Sequence, residues 1–248
     1  MTQITIDVII LSYAYNSITD NLTRQTIKSL LESEPGGTIK FNIIVIESNK
    51  SLKPLQYDHT TTLYPKIDFN FNKFLNIGIK ATTNQFICLS NNDVLFHLNW
   101  ASNLLNEMQN DNMLCASTYW QQYHLNERNI QAQTGNIEGY RDIFSGWCFV
   151  VRRSIFEKIN LFDEKINFWY SDDDFCNTLK KFSIKNYLIT NSAVTHVGGY
   201  SLNNISEKDR LRFTVLPMLY FDYKWQHRSK ILYYAKYLWN SLKISKIK

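Results

Sequence analysis

The chain has 248 residues, of which 44% are hydrophobic and 20% are charged, and its net charge at neutral pH is +5. This length and composition suffice for one large folded domain and exclude a mainly disordered chain. Eight glycines and four prolines exclude collagen-like and low-complexity sequences.

Apolar runs and helix-like spacings alternate along the first half of the sequence. Buried strands are predicted at residues 6–11, 41–46, 85–89 and 113–117. Helices are predicted near residues 22–31, 74–78 and 98–108. This order predicts an α/β fold with a Rossmann-like, mostly parallel central sheet flanked by helices. Ligands of such sheets bind beyond the carboxyl ends of the strands, where Ser12, Glu47 and Asp93 fall.

The second half continues this pattern less regularly, with elements predicted at residues 143–151, 152–159, 175–182 and 187–197. After Ser206 the sequence is typical of helix to its end. We therefore expect a main domain over residues 1–203 and a C-terminal helical extension over residues 204–248.

The cysteines and the N-terminus bear on the cellular compartment. The four cysteines, at positions 88, 115, 148 and 176, form no CxxC pair, which excludes a zinc ribbon and a thioredoxin-type site. Most lie in apolar runs, so we expect free thiols in a reducing compartment. No signal peptide and no membrane span of roughly 18 uncharged apolar residues is recognised. We expect a soluble cytoplasmic protein, or one attached to a membrane face.

The tripeptide Asn91-Asn92-Asp93 follows a predicted strand. The Asp93 carboxylate can hold Mg²⁺ or Mn²⁺ on a diphosphate, because both ions prefer oxygen ligands. The same residues are also favourable in a tight turn. The sequence leaves both interpretations open.

Three acids follow an aromatic pair in the segment Trp169-Tyr170-Ser171-Asp172-Asp173-Asp174. Ser171 can cap a helix with Asp174 at the third position, and acids favour a helix N-terminus. Three adjacent carboxylates exceed what capping requires, since like charges repel. A carboxylate beside an apolar wall can instead act as a general base. The pattern supports both interpretations.

His196 ends a predicted strand and precedes Val197-Gly198-Gly199. A histidine in this place is a structural residue or a ligand, and the two glycines favour a tight loop near an anionic ligand. No GxxxxGK[ST], GxGxxG or GxSxG motif occurs in the sequence. This removes the main support for a P-loop, a dinucleotide-binding site or a hydrolase nucleophile.

The order of these motifs resembles that of a family 2-type glycosyltransferase with the GT-A fold. The matching segments, within about residues 5–203, are Asp7–Tyr13, Ile44–Asn49, Asn76–Gly78, Asn91–Asp93, Ser145–Cys148, Trp169–Cys176 and His196–Gly199. Each motif is weak by itself, and their order and spacing together are fairly specific.

This resemblance implies inverting transfer of a sugar from a nucleotide-diphospho-sugar donor to a hydroxyl of a glycan or lipid-linked acceptor. Asp172 would be the general base, and Asp93 and His196 would hold Mn²⁺ or Mg²⁺ on the diphosphate. The donor would also contact Ser12, Tyr13, Glu47, Asn76, Asn91 and Asn92. The acceptor would contact Gly146, Trp147, Trp169, Asp173 and Asp174.

Two residues depart from the family pattern. Asn91 replaces the first acid of the DxD signature, and Ser171 replaces the Glu of an ED pair, whereas Asp172 is kept. These departures motivate an alternative, a catalytically reduced module that binds a nucleotide sugar or a glycan. A nucleotidyltransferase is a third hypothesis, but Ser12–Asn16 lacks the Gly-rich basic loop that it would require.

The C-terminal segment carries the basic character of the chain. From Arg210 onward there are nine Lys or Arg residues and one acid, Asp222, so the rest of the chain has a net charge of −3. An amphipathic helix is indicated by Leu232, Tyr233, Lys236, Tyr237 and Trp239. Such a helix either packs on the domain or lies on an anionic membrane surface. Nucleic-acid binding is not expected, because no readable motif accompanies the basic residues.

Overall fold

A computed structural model describes residues 3–49, 56–132, 135–198, 205–226 and 229–247. The strands in these ranges are β1 (Ile4–Ser12), β2 (Ile39–Glu47), β3 (Thr60–Leu63), β4 (Phe86–Asn91), β5 (Val94–Phe96), β6 (Cys115–Tyr119), β7 (Asn136–Gly139), β8 (Cys148–Arg152) and β9 (Asn186–His196). The α-helices are α1 (Ser17–Glu32), α2 (Phe71–Lys80), α3 (Trp100–Asn110), α4 (Ile155–Ile159), α5 (Ser171–Lys181), α6 (Glu207–Trp225) and α7 (Lys230–Ser245).

The described strands form one sheet in the order β3-β2-β1-β4-β8-β6-β9-β5, and β7 pairs with β9 beside this path. Neighbours among β1, β2, β3 and β4 are parallel, and so are β6 and β9. Every antiparallel pairing involves β5, β7 or β8. The predicted α/β fold with a central, mostly parallel sheet flanked by helices is confirmed.

Three short strands, β3, β5 and β7, were not predicted, because three or four residues are too few to show a strand periodicity. β5 follows β4 directly through a turn at Asn92 and Asp93. The turn interpretation of this tripeptide is therefore confirmed. It does not exclude a ligand role, because the turn lies at the carboxyl end of β4.

The central strand β1 is buried because both faces of the sheet are covered. Ile6, Val8 and Ile10 lie in one apolar cluster, and Ile9 lies in the other. Helix α2 packs closely on the sheet, since a Cβ atom on Gly78 would come within 2.5 Å of Ile9 Cγ2. The four cysteines are buried free thiols, as expected.

Asp7 is a fully buried carboxylate within β1. It accepts hydrogen bonds of 2.7–2.9 Å from Asn42, from the backbone and side chain of Asn84, and from Arg153. A buried charge is tolerated when it is paired and hydrogen-bonded in this way. The network joins β1 to β2 and to the segments beside β4 and β8.

Helix α6 is attached to the main domain by a polar cluster around Lys224. The Lys224 Nζ atom lies 2.9 Å from Asp163 Oδ2 and 2.7 Å from Asp174 Oδ1. Trp225 Nε1 donates to Asp174 Oδ1, and the Tyr220 hydroxyl donates to Asp163 Oδ2. The N-terminal half of the predicted extension is therefore part of the packed structure.

Helix α7 packs with one side against α6. The rings of Tyr223 and Tyr233 stack with their centroids 4.8 Å apart, and Ile244 is buried. Most other side chains of α7 are exposed. None of the described helices is both long enough and apolar enough to cross a bilayer.

Candidate active site

A cavity of about 630 Å³ lies beyond the carboxyl ends of β1, β2 and β4, where α/β sheets bind their ligands. Ser12 ends β1, Ser48 follows β2 and Asn91 ends β4, and all three line the cavity. Besides Ser12 and Asn91, the predicted site residues that line it are Tyr13, Asn92, Asp93, Gly146, Trp147, Trp169, Asp172, Asp173 and His196. Asp93 and Asp172, far apart in the sequence, therefore face the same cavity.

The pairing of β5 with the end of β9 places Asp93 beside His196. Val94 lies opposite His196 in the antiparallel register, and Val197 N donates to the Asp93 carbonyl at 2.9 Å. His196 Nε2 lies 3.2 Å from Asp93 Oδ1, but no described group makes a hydrogen bond to this buried oxygen. A carboxylate oxygen and an imidazole nitrogen thus lie side by side without a hydrogen bond between them.

Two indole rings hold the imidazole of His196. The ring of Trp147 stacks on it with centroids 5.3 Å apart and an interplanar angle of 10°. Trp120 meets it edge to face at 5.4 Å. These contacts fix the plane of the imidazole, and His196 covers one face of the Trp147 ring.

A π-helical turn, Gln122–Glu127, supports this aromatic cluster. Its buried His124 accepts the backbone N–H of Trp120 at Nδ1, at 2.9 Å, and its Nε2 lies 3.3 Å from Ser145 Oγ. Burial lowers the pKa of His124 to about 4, so this imidazole is neutral near pH 7. His124 thereby joins the segment before β7 to the turn that contains Gly146.

The carboxylate of Asp172 lies directly against Gly146. A Cβ atom on Gly146 would overlap both carboxylate oxygens and the Cγ atom of Asp172. The turn is held near the end of β4, because Asn91 N donates to the Trp147 carbonyl at 2.9 Å. A glycine at position 146 is therefore needed for Asp172 to take up its place in the cavity.

The start of α5 differs from the predicted cap. Helix α5 begins at Ser171, and the preceding Tyr170 has a left-handed backbone with φ of 68°. The Ser171 hydroxyl donates to Asn72 Oδ1 at 2.5 Å. The prediction that Ser171 caps the helix with Asp174 is wrong, because Ser171 lies one position inside the helix and bonds to α2. Such a left-handed non-glycine residue is strained, and strain of this kind concentrates at functional sites.

The charges around Asp172 act in opposite directions. Burial raises the pKa of Asp172, and the positive charge of Arg141 lowers it, while Asp173 adds to the rise. Arg141 Nε lies 2.7 Å from Asp173 Oδ1, and both residues line the cavity. Asp172 is therefore a more basic carboxylate than an exposed aspartate, with a cation beside it.

Glu47 and Asn76 do not line the cavity. Glu47 is buried, and its Oε1 atom accepts the backbone N–H groups of Ala14 and Asn49 at 3.1 and 2.8 Å. The Asn76 side chain exchanges hydrogen bonds with the backbone of Phe162. These side chains join loops to each other, so their placement does not support the predicted donor contacts. Ser48, the neighbour of Glu47, lines the cavity instead.

Asp174 does not line the cavity either. It is buried, and its oxygens bind Lys224 and the indole N–H of Trp225. Asp174 therefore attaches α6 to α5, and its placement does not support the predicted acceptor contact.

Several residues that line the cavity were not predicted from the sequence, namely Ser48, Asp68, Arg141, Tyr170, Asp209, Arg212 and Phe213. Asp209, Arg212 and Phe213 belong to α6, which the sequence presents only as a basic extension. Arg141 lies in an irregular polar stretch with no motif around it. The one sequence feature that could have suggested a role for Arg141 is Asp173 on α5, the acid with which it pairs.

The metal-binding potential of the cavity rests on two residues. The described residues contain no cluster of three His, Cys, Asp or Glu side chains with the arrangement of a metal site. Asp93 and His196 supply one oxygen and one nitrogen, and Asn91 occurs where a second acid would add a third ligand. Gly199, the last residue of the His-x-Gly-Gly motif, lies outside the described residues.

Chemically, the cavity combines a carboxylate of raised pKa, an oxygen and a nitrogen atom of the kinds that can bind a metal ion, and an exposed aromatic wall. Asp172 provides the carboxylate, Asp93 and His196 provide the oxygen and the nitrogen, and Trp169, which is 47% exposed, provides the wall. This combination suits proton removal from a hydroxyl group close to a bound diphosphate.

Comparison with known proteins identifies one matching sequence family. The sequence model described as "Glycosyl transferase family 2" matches residues 8–160, which is more than half of the chain. No curated protein sequence matches the chain.

Solved structures similar in fold include two glycosyltransferases with the GT-A fold. One is a crystal structure of GalNAc-T7 with UDP, GalNAc and Mn²⁺, at 13% identity and a TM-score of 0.65, covering 93% of this chain and 53% of that protein. Another is residues 1–349 of TarS from S. aureus, at 13% identity and a TM-score of 0.57, covering 77% of this chain and 59% of that one. This chain thus spans little more than half the length of either structure.

Proposed function

Since the chain belongs to glycosyl transferase family 2, we propose that it transfers a sugar with inversion from a nucleotide-diphospho-sugar donor to an acceptor hydroxyl. The bond between the anomeric carbon and the acceptor oxygen forms as the bond to the diphosphate breaks. The acceptor hydroxyl gives its proton to a base, and the nucleoside diphosphate leaves. The placement of Asp172 in the cavity carries this proposal.

Asp172 is the general base of the proposed reaction. Its carboxylate lies against Gly146 in the cavity, and burial raises its pKa, which increases its affinity for the acceptor proton. The charge of Arg141 opposes this rise and so favours the charged form of the carboxylate that a base requires. A positioned base of this kind contributes a rate factor of roughly 10²–10⁴.

Asp93 and His196 are the residues that would hold a divalent cation, Mn²⁺ or Mg²⁺. The fit is supported by the buried Asp93 Oδ1 atom, which lies beside His196 Nε2 and has no hydrogen bond among the described residues. Mg²⁺ is commonly held by one or two protein ligands together with substrate phosphates. When bound, the ion would offset the negative charge that develops on the leaving diphosphate.

On the donor side we propose Ser12, Tyr13, Asn91 and Asn92, with Ser48 added from the structure. Thr23 fixes two of these side chains, because its hydroxyl oxygen lies 2.9 Å from Ser12 Oγ and accepts from Asn92 Nδ2 at 3.0 Å. On the acceptor side we propose Gly146, Trp147, Trp169 and Asp173. The acceptor is a glycan or a lipid-linked glycan, and we place the reaction in the cytoplasm or at the cytoplasmic face of a membrane.

A second candidate function is binding of a nucleotide sugar or glycan without transfer. It is favoured by Asn91 and Ser171, which stand where the family pattern has acids, and by the two-residue ligand pair. The two functions differ in what becomes of a bound donor. Transfer consumes the donor and releases a nucleoside diphosphate, whereas a binding module leaves the donor intact.

The test begins with a thermal-shift screen of UDP, GDP, CDP and dTDP with and without Mn²⁺, since a ligand of the folded state raises the Tm. The sugar nucleotides of the diphosphate that binds are then tested for turnover with wild type, Asp172→Asn and the control Asp58→Asn, an exposed site outside the cavity. We expect binding by all three proteins and turnover by wild type and Asp58→Asn only. Near-normal turnover by Asp172→Asn would contradict the role of the base. Donor binding with no turnover by wild type would support the binding module.

A further inference from the structure

Helix α7 carries half of the large hydrophobic side chains that are exposed in the described part of the chain. Seven of these fourteen side chains lie on it, namely Ile231, Leu232, Tyr234, Tyr237, Leu238, Trp239 and Leu242. Ile231 is 80% exposed and Trp239 is 72% exposed. A group of exposed large apolar side chains of this size marks an interaction surface, and nothing in the described part of the chain covers the outer face of α7.

The exposed side chains are separate from the contact between α7 and α6. That contact uses Tyr233 and Ile244, and Lys208 of α6 donates to the carbonyls at the end of α7. At 100° per residue, the side chains opposite this contact are Ile231, Ala235, Leu238, Trp239 and Leu242. They form a continuous apolar strip along the outer side of the helix, which we call the outer strip.

Lysines border the outer strip, and acids are absent from it. Lys236 and Lys243 follow Leu232 and Trp239 around the helix, and Lys246 lies just beyond the helix end. The sequence has no Asp or Glu after Asp222. An apolar strip with lysines along its edge matches an anionic lipid surface, because the apolar side chains enter the headgroup region and the lysines reach the phosphates.

We propose that α7 lies flat on the anionic surface of a lipid membrane through its outer strip. This charge pattern favours a membrane over a second copy of the chain, because two facing strips would bring their lysines together with no acid between them. The proposal deepens the proposed function and rests on it for one point only, that the acceptor is linked to a lipid.

The position of α7 relative to the cavity fits such an acceptor. Helix α6 contacts α7 through Tyr223 and, on another part of its surface, lines the cavity with Asp209, Arg212 and Phe213. Helix α6 therefore contacts both α7 and the acceptor side of the cavity. A membrane bound by α7 would bring a lipid-linked glycan to the part of the domain that α6 joins to the cavity.

The experiment is flotation of the full chain with vesicles of phosphatidylcholine alone or of phosphatidylcholine mixed with phosphatidylglycerol. The apolar variant is Leu238→Ala with Trp239→Ala, and the charge variant is Lys236→Gln with Lys243→Gln and Lys246→Gln. The matched control is Leu98→Ala, because Leu98 is 68% exposed but lies outside α7. All proteins are first checked for the Tm and circular dichroism of wild type.

We expect wild type and Leu98→Ala to float with the anionic vesicles at low salt and to be released at high salt. The charge variant should bind roughly 100-fold more weakly, because three lysines near the surface are lost. The apolar variant should no longer float with the anionic vesicles, because the side chains that enter the headgroup region are lost. Failure of wild type to float with anionic vesicles overturns the proposal. It is also overturned if the same apolar substitutions abolish a dimer in solution and leave flotation unchanged.

Flotation needs no sugar nucleotide, so its outcome is independent of the proposed reaction. Asp172→Asn should float like wild type while lacking turnover. Conversely, the apolar variant should still release a nucleoside diphosphate when the donor is supplied together with a soluble glycan whose hydroxyl accepts the sugar. Loss of flotation and loss of turnover therefore report on two different proposals.

Discussion

The Asp172 carboxylate occupies the space that a side chain at position 146 would need. The position of this α5 residue therefore depends on a glycine in the turn before β8. Only glycine, which has no Cβ atom, leaves room at position 146 for the Asp172 carboxylate. This relationship explains why a Gly-containing turn and an acid at the start of a helix occur together in the sequence.

Gly146→Ala should therefore abolish most of the turnover while leaving the fold intact. The added methyl group displaces a side chain rather than backbone, so the cost falls on the position of Asp172, and the rate should drop by about 10²-fold or more. Steady-state turnover and Tm measure the two effects. Gly36→Ala is the control, because nothing lies within 4 Å of a Cβ there. Wild-type turnover in Gly146→Ala would show that the reaction does not depend on the position of the Asp172 carboxylate against residue 146.

The pH dependence of turnover should report the pKa of Asp172. The base must be ionised, so turnover should fall as the pH falls through the pKa of Asp172. Because burial raises this pKa, the acidic limb of the pH–rate profile should lie at higher pH than it would for an exposed aspartate. Arg141→Gln removes the charge that lowers the pKa, so the limb should move to higher pH. Arg141→Lys keeps the charge and should move it less. An unchanged limb in Arg141→Gln would mean that another group sets the profile.

Removal of divalent cations should abolish turnover, and Mn²⁺ or Mg²⁺ should restore it. In a thermal-shift assay, a nucleoside diphosphate should raise the Tm further when Mn²⁺ is present, because both bind the folded state. His196→Gln and Asp93→Asn should each reduce this additional rise. Turnover that survives thorough chelation would exclude a metal role and would leave Arg141 and Arg212, which line the cavity, as the cationic side chains available to the diphosphate.

Asp7→Asn should lower the free energy of unfolding by about 3 kcal/mol, because it leaves Arg153 and a buried network without their anion. Chemical denaturation measures the change. Glu32→Gln is the control, since Glu32 and its partner Lys28 are 66% and 74% exposed, and its effect should be at most about 0.5 kcal/mol. Equal effects of the two substitutions would show that the buried Asp7–Arg153 pair contributes no more to the free energy of unfolding than the exposed Glu32–Lys28 pair.

Lys224→Met should loosen α6 from the main domain. It removes the cation between Asp163 and Asp174 and should lower the free energy of unfolding by about 2 kcal/mol. Because α6 lines the cavity, turnover should fall together with resistance of α6 to limited proteolysis. Lys40→Met, at an exposed site on β2, should change neither quantity. Normal proteolysis of α6 in Lys224→Met would show that apolar packing alone holds the helix.

The sequence alone determined the α/β class, the long strands and helices, and the order of the motifs. Those features follow from local information, because the spacing of apolar residues defines a strand or a helix over a few turns. It also placed Ser12, Asp93, Asp172 and His196 at the ends of elements, where parallel strands and helix starts converge.

Only the tertiary structure decided which polar side chains share the cavity. Glu47, Asn76 and Asp174 occur in the same motifs as the cavity residues, but they bond to neighbouring loops and to α6. Arg141 reaches the site from a stretch without a motif. Whether a side chain faces a ligand or a neighbouring element depends on contacts between residues that are distant in the sequence, and local patterns do not encode those contacts.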